Sequence, residues 1–434
     1  MNPTITIFWF RRDLRLNDNH GLWQALKEKK RVLPIFIFDT TILDQLPKKD
    51  RRISFIMKHL TSMNETLKSN YNSGISIFHG DPLEIFKQLS TTYQLEDVYC
   101  NLDYEPYGIE RDSLIKMFLN ESNINFNSFK DHLIHDPTNI LKSDQTPYVV
   151  YTPFSKLWIS KYAAIKDDNF PSETKLEYLI SKDNNKIPTL NSIGFERAST
   201  SIQDFNLTDL FIDNYEANRD FPYLDSSSKL GPHLRFGTVS VREIAKKAYN
   251  RNNRIFLKAL IWREFFIHIL YHFPHSITKA FKPKYDAIRW RNDPQEFEAW
   301  CNGETGYPLV DAGMRELNAT GYMHNRVRMV AASFLCKHLL IDWRWGEAYF
   351  AHKLNDFELA SNVGNWQWVA GTGVDAAPYF RIFNPIMQLQ KFDKQHQYIS
   401  KWVNDFSTEH YPEPIVDHKT ARLRCLETYK NAIA

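Results

Sequence analysis

Between residue 1 and about residue 130, short apolar runs alternate with periodic amphipathic segments. Thr4 to Phe10, Val32 to Phe38, Ile75 to His79 and Val98 to Asn101 are runs of mostly apolar residues. Between them, Asn19 to Lys29, Arg51 to Ser69 and Pro82 to Leu89 place apolar residues at helical spacing. Apolar strands separated by helices predict a parallel sheet covered on both faces. That is a doubly wound α/β domain. From residue 131 to about 204 the periodicity weakens, and Asp, Asn, Ser, Thr and Pro dominate. This reads as a long interdomain connection with a short helix near Tyr151 to Ala164. Beyond Asn206 the strand signals vanish. Arg254 to Tyr271, Leu309 to Thr320 and Arg326 to Leu340 carry helical periods, so the rest should be all-α. The expected organisation is an α/β domain at 1–130, a linker at 131–204 and a helical domain at 205–434. A chain of 434 residues is too long for one core, which agrees with two domains.

Net charge changes this picture little. The formal value is +3; up to residue 205 there are 25 Lys/Arg against 26 Asp/Glu, or −1, and beyond it 29 against 25, or +4. Any nucleic-acid face must therefore be a local patch. Cys100, Cys301, Cys336 and Cys425 are scattered, without CxxC or metal-ligand spacing. They read as reduced, structural cysteines of a cytoplasmic protein. Ile5 to Phe10 is far too short to span a bilayer, so no membrane association is expected.

Two features stand apart from ordinary folding signals. Eight of the eleven Trp lie beyond residue 205, either as a stacking site or as core filling. Among them, Leu359 to Trp368 mixes Gly, Asn and Trp so densely that it is a poor ordinary helix, and Trp366 and Trp368 cannot share a helical face. Such a segment is expected to wrap something flat and large. The first strand is not followed by GxGxxG, so a dinucleotide fingerprint is absent. It runs instead into Arg11-Arg12-Asp13-Leu14-Arg15, where the arginines read more readily as salt-bridge residues than as a phosphate site.

The segment FWFRRDLRLNDN resembles the opening signature of the photolyase/cryptochrome family. Further matches follow in the family's order: Trp262-Arg263-Glu264-Phe265-Phe266, Thr305 to Arg315, Gly321 to Met329, Asp342-Trp343-Arg344 and the Trp366 block. The chain most resembles class I cyclobutane pyrimidine dimer photolyases. The resemblance implies one non-covalent FAD in the helical domain, where the flavin carries the chemistry and the protein positions it. Tyr215 opens its first FAD segment, and Ser227, Ser228, Lys229, Leu230 and Gly231 occupy the place of its phosphate loop. Hydroxyls and backbone N–H groups at a helix start suit a pyrophosphate, although a Ser-rich helix cap looks the same in sequence. Arg263, Asp356, Phe357 and Glu358 complete the implied flavin contacts. Asn362 corresponds to the residue beside flavin N5, where plant-type cryptochromes usually carry Asp. Trp366, Trp343 and Trp290 match a three-indole chain that delivers electrons to photoexcited FAD.

For the substrate, the resemblance implies UV-damaged DNA with a pyrimidine dimer flipped into a pocket. Trp262 matches its aromatic wall, Met329 the apolar residue opposite and Asn325 a polar contact. Arg219 and Gln388 match further DNA contacts; Arg326, Arg328, Lys282, Lys284, Arg289 and Arg291 are candidates for a phosphate rim, the last four reading equally well as a solvated charge run. Asn325 and Met329 stand where (6-4) photolyases and animal cryptochromes typically carry histidines, which favours cyclobutane dimers. His324 precedes this box and is not the missing acid. Against that, Ala259 replaces the usual Glu three residues before Trp262, and Phe256 a usual Trp. The implied activity is light-driven dimer repair by a monomer, with a blue-light-sensing cryptochrome as the main rival and a (6-4) photolyase behind it. Asp103 to Gly108 resembles the segment near a second, antenna chromophore. The Asn-Glu pair that anchors a folate in some members is replaced by Tyr107 and Gly108, leaving a deazaflavin, another flavin or an empty site open.

Overall fold

The structure, a computed structural model, describes residues 4–29, 31–181, 187–376, 378–406 and 408–433. The chain divides into two compact units. One comprises Met1–Asn139, Trp158–Asp204 and Leu230–Asn250; the other comprises Ile140–Leu157, Phe205–Lys229 and Arg251–Ala434.

The first unit holds five parallel strands in the order β3-β2-β1-β4-β5. They are β1 (Thr4–Phe10), β2 (Val32–Asp39), β3 (Ser76–Gly80), β4 (Gln94–Asn101) and β5 (Asn125–Phe129). Successive side chains on a strand point to opposite faces, and both faces are used. Phe8, Phe10, Phe36 and Phe38 enter one core, while Ile5, Ile7, Trp9, Ile35 and Ile37 enter another. This accounts for the apolar runs without a polar face. β5 has no such run, since it is an edge strand of sequence Asn-Phe-Asn-Ser-Phe paired only with β4.

One passage between the units falls between Asp204 and Phe205, at the expected position, while the boundary expected at 130 lies inside the first unit, whose first segment runs on to Asn139. Residues 158–204 belong to the first unit, where Leu176, Leu179, Ile193 and Phe195 join the core of the sheet. Ser172 donates from its hydroxyl to Leu16 O at 2.6 Å, and Ile180 N donates to Val32 O at 2.9 Å. A few apolar anchors in a polar stretch are invisible to periodicity but sufficient to dock it.

In the second unit every described element is helical. The Ile255–His272 helix buries 11 of its 18 residues, so it runs through the middle of the bundle. Packed against it is Leu359–Ala370, a regular α-helix closed by Gly371 in the left-handed conformation at φ 87°. The poor-helix reading of this stretch is thus corrected, and packing explains why. A Cβ at Gly364 would lie 2.1 Å from Phe266 Cδ1, and a Cβ at Gly346 would lie 2.1 Å from Trp366 Cη2. Glycine lets these helices approach more closely than any other residue permits, and tertiary contact overrides propensity. The segment Arg326 to Leu340 is helical as its period predicts, but not as one regular α-helix. The α-helix there covers Asn325–Ser333 and passes into a π-helical turn over Phe334–His338. Such wide turns occur mostly as single interruptions of α-helices, and this one carries the buried Lys337, whose ammonium donates to Ala370 O at 2.7 Å.

Candidate functional site

The Leu359–Ala370 helix organises the site. Its N-cap Glu358, Asn362 and Trp366 follow at intervals of four and so share one face. Asp342 caps the neighbouring Trp343–Lys353 helix by accepting from Arg344 N at 3.0 Å, which fixes that helix's start. The two helices meet at paired positions. Asn362 Nδ2 donates to Glu347 Oε1 at 2.8 Å and to Glu347 O at 3.0 Å, while the Trp366 ring lies over Gly346.

Glu358 is buried and forms a two-pronged pair with Arg263, with Nε–Oε2 at 2.9 Å and Nη2–Oε1 at 2.7 Å. The extra methylene of Glu over Asp thus reaches the guanidinium. Arg328 Nη2 donates to Asp356 Oδ2 at 2.9 Å. Asp356 Oδ1, in contrast, is buried without a hydrogen-bond partner. A buried carboxylate oxygen left unanswered suits a ligand hydroxyl, and this observation fits FAD, whose ribose or ribityl chain offers such donors. Tyr322 donates to Ser227 Oγ at 2.9 Å, and Lys229 Nζ sits 3.9 Å from the Tyr322 ring centroid. Arg328 is also 5.8 Å from that ring. Ser227, Lys229 and Arg328 therefore gather hydroxyl and positive charge at one place, as a pyrophosphate needs. Leu230 and Gly231 belong to the other unit, as the N-cap and first residue of the Gly231–Phe236 helix. Tyr215 packs edge-on to Phe256 at 5.1 Å and carries Arg219 5.4 Å over its ring. Phe357 packs against the main helical core.

The three expected relay indoles lie in this same core, with Trp366 3% and Trp343 1% exposed and Trp290 only partly buried. Gly346, under the Trp366 ring, is three residues from Trp343 and on the same face. Trp290 meets Tyr429 edge-on at 6.1 Å. Arg344 lies 4.8 Å over Trp343, and a cation on the indole face makes that ring harder to oxidise. One neighbour escaped the sequence reading: Trp300, fully buried, meets Trp366 at 6.1 Å and 70°. It has no motif around it, and only the fold brings it there. Glu347 was missed for the same reason.

The candidate DNA residues fall into two groups. Asn325 and Arg326 both approach the Met329 sulfur, Nδ2 at 4.0 Å and Nη1 at 3.9 Å, so these three form one patch on the Asn325–Ser333 helix. Arg326 also pairs with Asp220 at 2.7 Å and leaves its Nε without a partner, as Gln388 leaves Oε1. His324 caps the helix by accepting from Arg326 N through Nδ1. Burial, aided by nearby Arg328 and Lys229, pushes its imidazole down to about 4, so it is neutral at physiological pH. Trp262 is stacked face to face on Tyr151, at 3.7 Å and 4°. Tyr151 donates to Lys258 O at 2.9 Å, which anchors this wall. Of the charged rim candidates, Arg291 is engaged with Glu296 at 2.7 and 2.8 Å.

In the first unit, the strand order reverses between β1 and β4, where open α/β sheets place ligands beyond the strands' carboxyl ends. Charged side chains occupy that position. Arg11 pairs with Asp112, Arg12 with Asp103 and Glu105, and Arg15 with Asp131. Tyr107 donates to Asp39 at 2.7 Å. A Cβ at Gly108 would lie 2.5 Å from Asp103 Cγ, so the larger folate-anchoring side chain does not fit there without a shift.

Residues 6–174 match the DNA photolyase model, and residues 256–409 match the FAD binding domain of DNA photolyase. A protein named deoxyribodipyrimidine photo-lyase from Agrobacterium fabrum is 36% identical over 98% of this chain and 97% of its own length. A class III photolyase from Agrobacterium tumefaciens superposes with a TM-score of 0.86 at 33% identity, covering 100% of this chain and 98% of that one. A cryptochrome from Synechocystis superposes equally, at 0.86, with 25% identity over 99% of each chain. The chain belongs to the photolyase/cryptochrome family. Its parallel α/β and helical units are those of the family's solved structures. Among the described residues no helix is long and apolar enough to cross a membrane.

Proposed function

We propose that the protein binds FAD in its helical unit and repairs cyclobutane pyrimidine dimers in DNA under blue light. The observation that carries this reading is the single helical face bearing Glu358, Asn362 and Trp366, beside the unanswered oxygen of Asp356. FAD, when bound in reduced form, supplies the light absorption and the electron. Asp356 accepts a hydroxyl of the cofactor, and Ser227, Lys229 and Arg328 hold its phosphates. Asn362 stands at the flavin ring, with Arg263 tying Glu358 down beside it. Trp366, Trp343 and Trp290 lead from the buried core towards the surface and return electrons to the cofactor. Met329 and Asn325 line one side of the lesion, and Trp262, backed by Tyr151, the other. Arg326, Arg219 and Gln388 contact the DNA backbone.

UV-damaged DNA is then the partner, and the reading carries a monomer and a cytoplasmic setting with it. A folate held through positions 107 and 108 is disfavoured by the contact at Gly108. A cryptochrome without repair activity is the second reading, favoured by Ala259 and by the Synechocystis likeness. The test is blue-light repair of an oligonucleotide with one cyclobutane thymine dimer, using pre-reduced protein and a dark control. Light-dependent loss of the dimer is expected. Reduced, FAD-loaded protein that leaves the dimer intact would move the cryptochrome reading to first place.

A further inference from the structure

Glu347 has no place in the reading above, yet it decides which end of the Asn362 amide is free. An amide nitrogen carries two hydrogens, and Asn362 spends both on Glu347, one on Oε1 and one on the main-chain oxygen. Both acceptors are oxygens. Turning the amide over would set Asn362 Oδ1 against them at the same distances, so chemistry alone fixes the orientation. Oδ1 is left with both lone pairs free and accepts no hydrogen bond among the described residues. Asn362 is buried as a residue, while its unpartnered Oδ1 keeps some exposure, as an atom facing an open site does. The bonds span two helices, and the capping of Trp343–Lys353 by Asp342 keeps Glu347 in place. Burial also raises the Glu347 carboxyl above the ordinary carboxylate range, and a protonated carboxyl still offers a carbonyl oxygen to the amide.

We propose that Glu347 is a positioning residue that biases the flavin towards its N5-protonated forms by holding the Asn362 carbonyl oxygen outward. The proposal rests on the reading that Asn362 stands beside flavin N5. Oxidised flavin has only a lone pair at N5, which opposes a carbonyl oxygen. Once one electron and one proton arrive at N5, the N–H donates to that oxygen. In a chemical titration the electron comes from dithionite and the proton from water. Glu347 gives up neither.

Glu347→Leu keeps similar bulk but removes the side-chain acceptor, so Asn362 Nδ2 keeps only the main-chain oxygen of position 347 and the amide is no longer held by two bonds. Potentiometric titration of the FAD-loaded protein at fixed pH reads the outcome. For Glu347→Leu, a tenfold or larger shift of the first-electron equilibrium towards oxidised flavin is expected, which is 59 mV for one electron. A purely structural role would lower FAD retention or melting temperature and leave the potential unmoved. If Asn362→Ala shifts the potential while Glu347→Leu does not, the main-chain oxygen suffices, the proposal falls and the placement of Asn362 stands. If neither shifts it, the placement itself fails. Should Glu347→Leu not hold FAD, Glu347→Asp, which withdraws the acceptor by one methylene, must shift the potential in the same direction; an unchanged value overturns the proposal.

Discussion

Replacing Gly364 by alanine sets two effects of known sign against each other. On propensity alone, glycine in a helix interior costs about 1 kcal/mol relative to alanine, so the change should stabilise. The packing says otherwise. The new methyl would lie 2.1, 2.6 and 2.8 Å from three atoms of the Phe266 ring, against a comfortable carbon–carbon separation of about 3.5–4.0 Å. Phe266 is 4% exposed and leans on Trp262 and Phe265 at 5.5 and 6.0 Å, so it cannot retreat without moving the proposed lesion wall. Overpacking of this kind costs roughly 1–3 kcal/mol. Contacts this short place the cost in the upper part of that range, about 2–3 kcal/mol, so after the propensity gain Gly364→Ala should destabilise by about 1–2 kcal/mol, lowering the melting temperature by about 2–4 °C per kcal/mol. Thermal unfolding of the FAD-loaded protein, followed by helical circular dichroism and by flavin release, measures it. Phe266→Leu in the same chain should restore part of the loss by vacating the ring edge. A Gly364→Ala protein as stable as its parent would refute the claim that close helix approach, not local preference, holds this segment.

Three further outcomes are expected. Trp366→Phe should abolish photoreduction of oxidised FAD while sparing repair by pre-reduced protein; comparing Trp343→Phe with Trp300→Phe then shows which neighbour continues the relay. Ala259→Glu should strengthen lesion binding or raise repair yield, with up to roughly 1.5–3 kcal/mol available from a charge-assisted hydrogen bond; an unchanged yield and affinity would mean another group already meets the base edge. Burial pushes the Lys337 ammonium down to about 8, so between pH 8 and about 10.4 the unfolded chain binds more protons and stability rises with pH. Lys337→Met should remove that rise, with its relative advantage of roughly 3 kcal/mol greatest below pH 8; denaturant melts at pH 7.5 and 10 with the same mutant-to-parent difference would count against it.

What could be read from residues, and what could not, follows the range of the forces involved. The sheet was legible because β1, β2 and β4 carry apolar runs set by burial on both faces, and the edge strand β3 still holds Ile77 and Phe78 against the two cores. β5 was not, since an edge strand needs no such pattern. Asp356, Glu358, Asn362 and the relay tryptophans were nameable from motif order. Their partners were not: Arg263 at Glu358, Glu347 at Asn362 and Trp300 at Trp366 are separated by 95, 15 and 66 positions in the chain. The docking of residues 158–204 escaped notice because four apolar side chains among polar ones carry no period.

Fold class, family and the kinds of side chain available for flavin and DNA are already written in the order of the residues. Periodicity and motif order are local properties, and they survive in one dimension. That a Gly/Asn/Trp segment is a helix, which end of Asn362 is free and which oxygen of Asp356 is unanswered emerge only once the chain is packed. These depend on close contact between helices remote in sequence, where a methyl group or an amide flip changes the result.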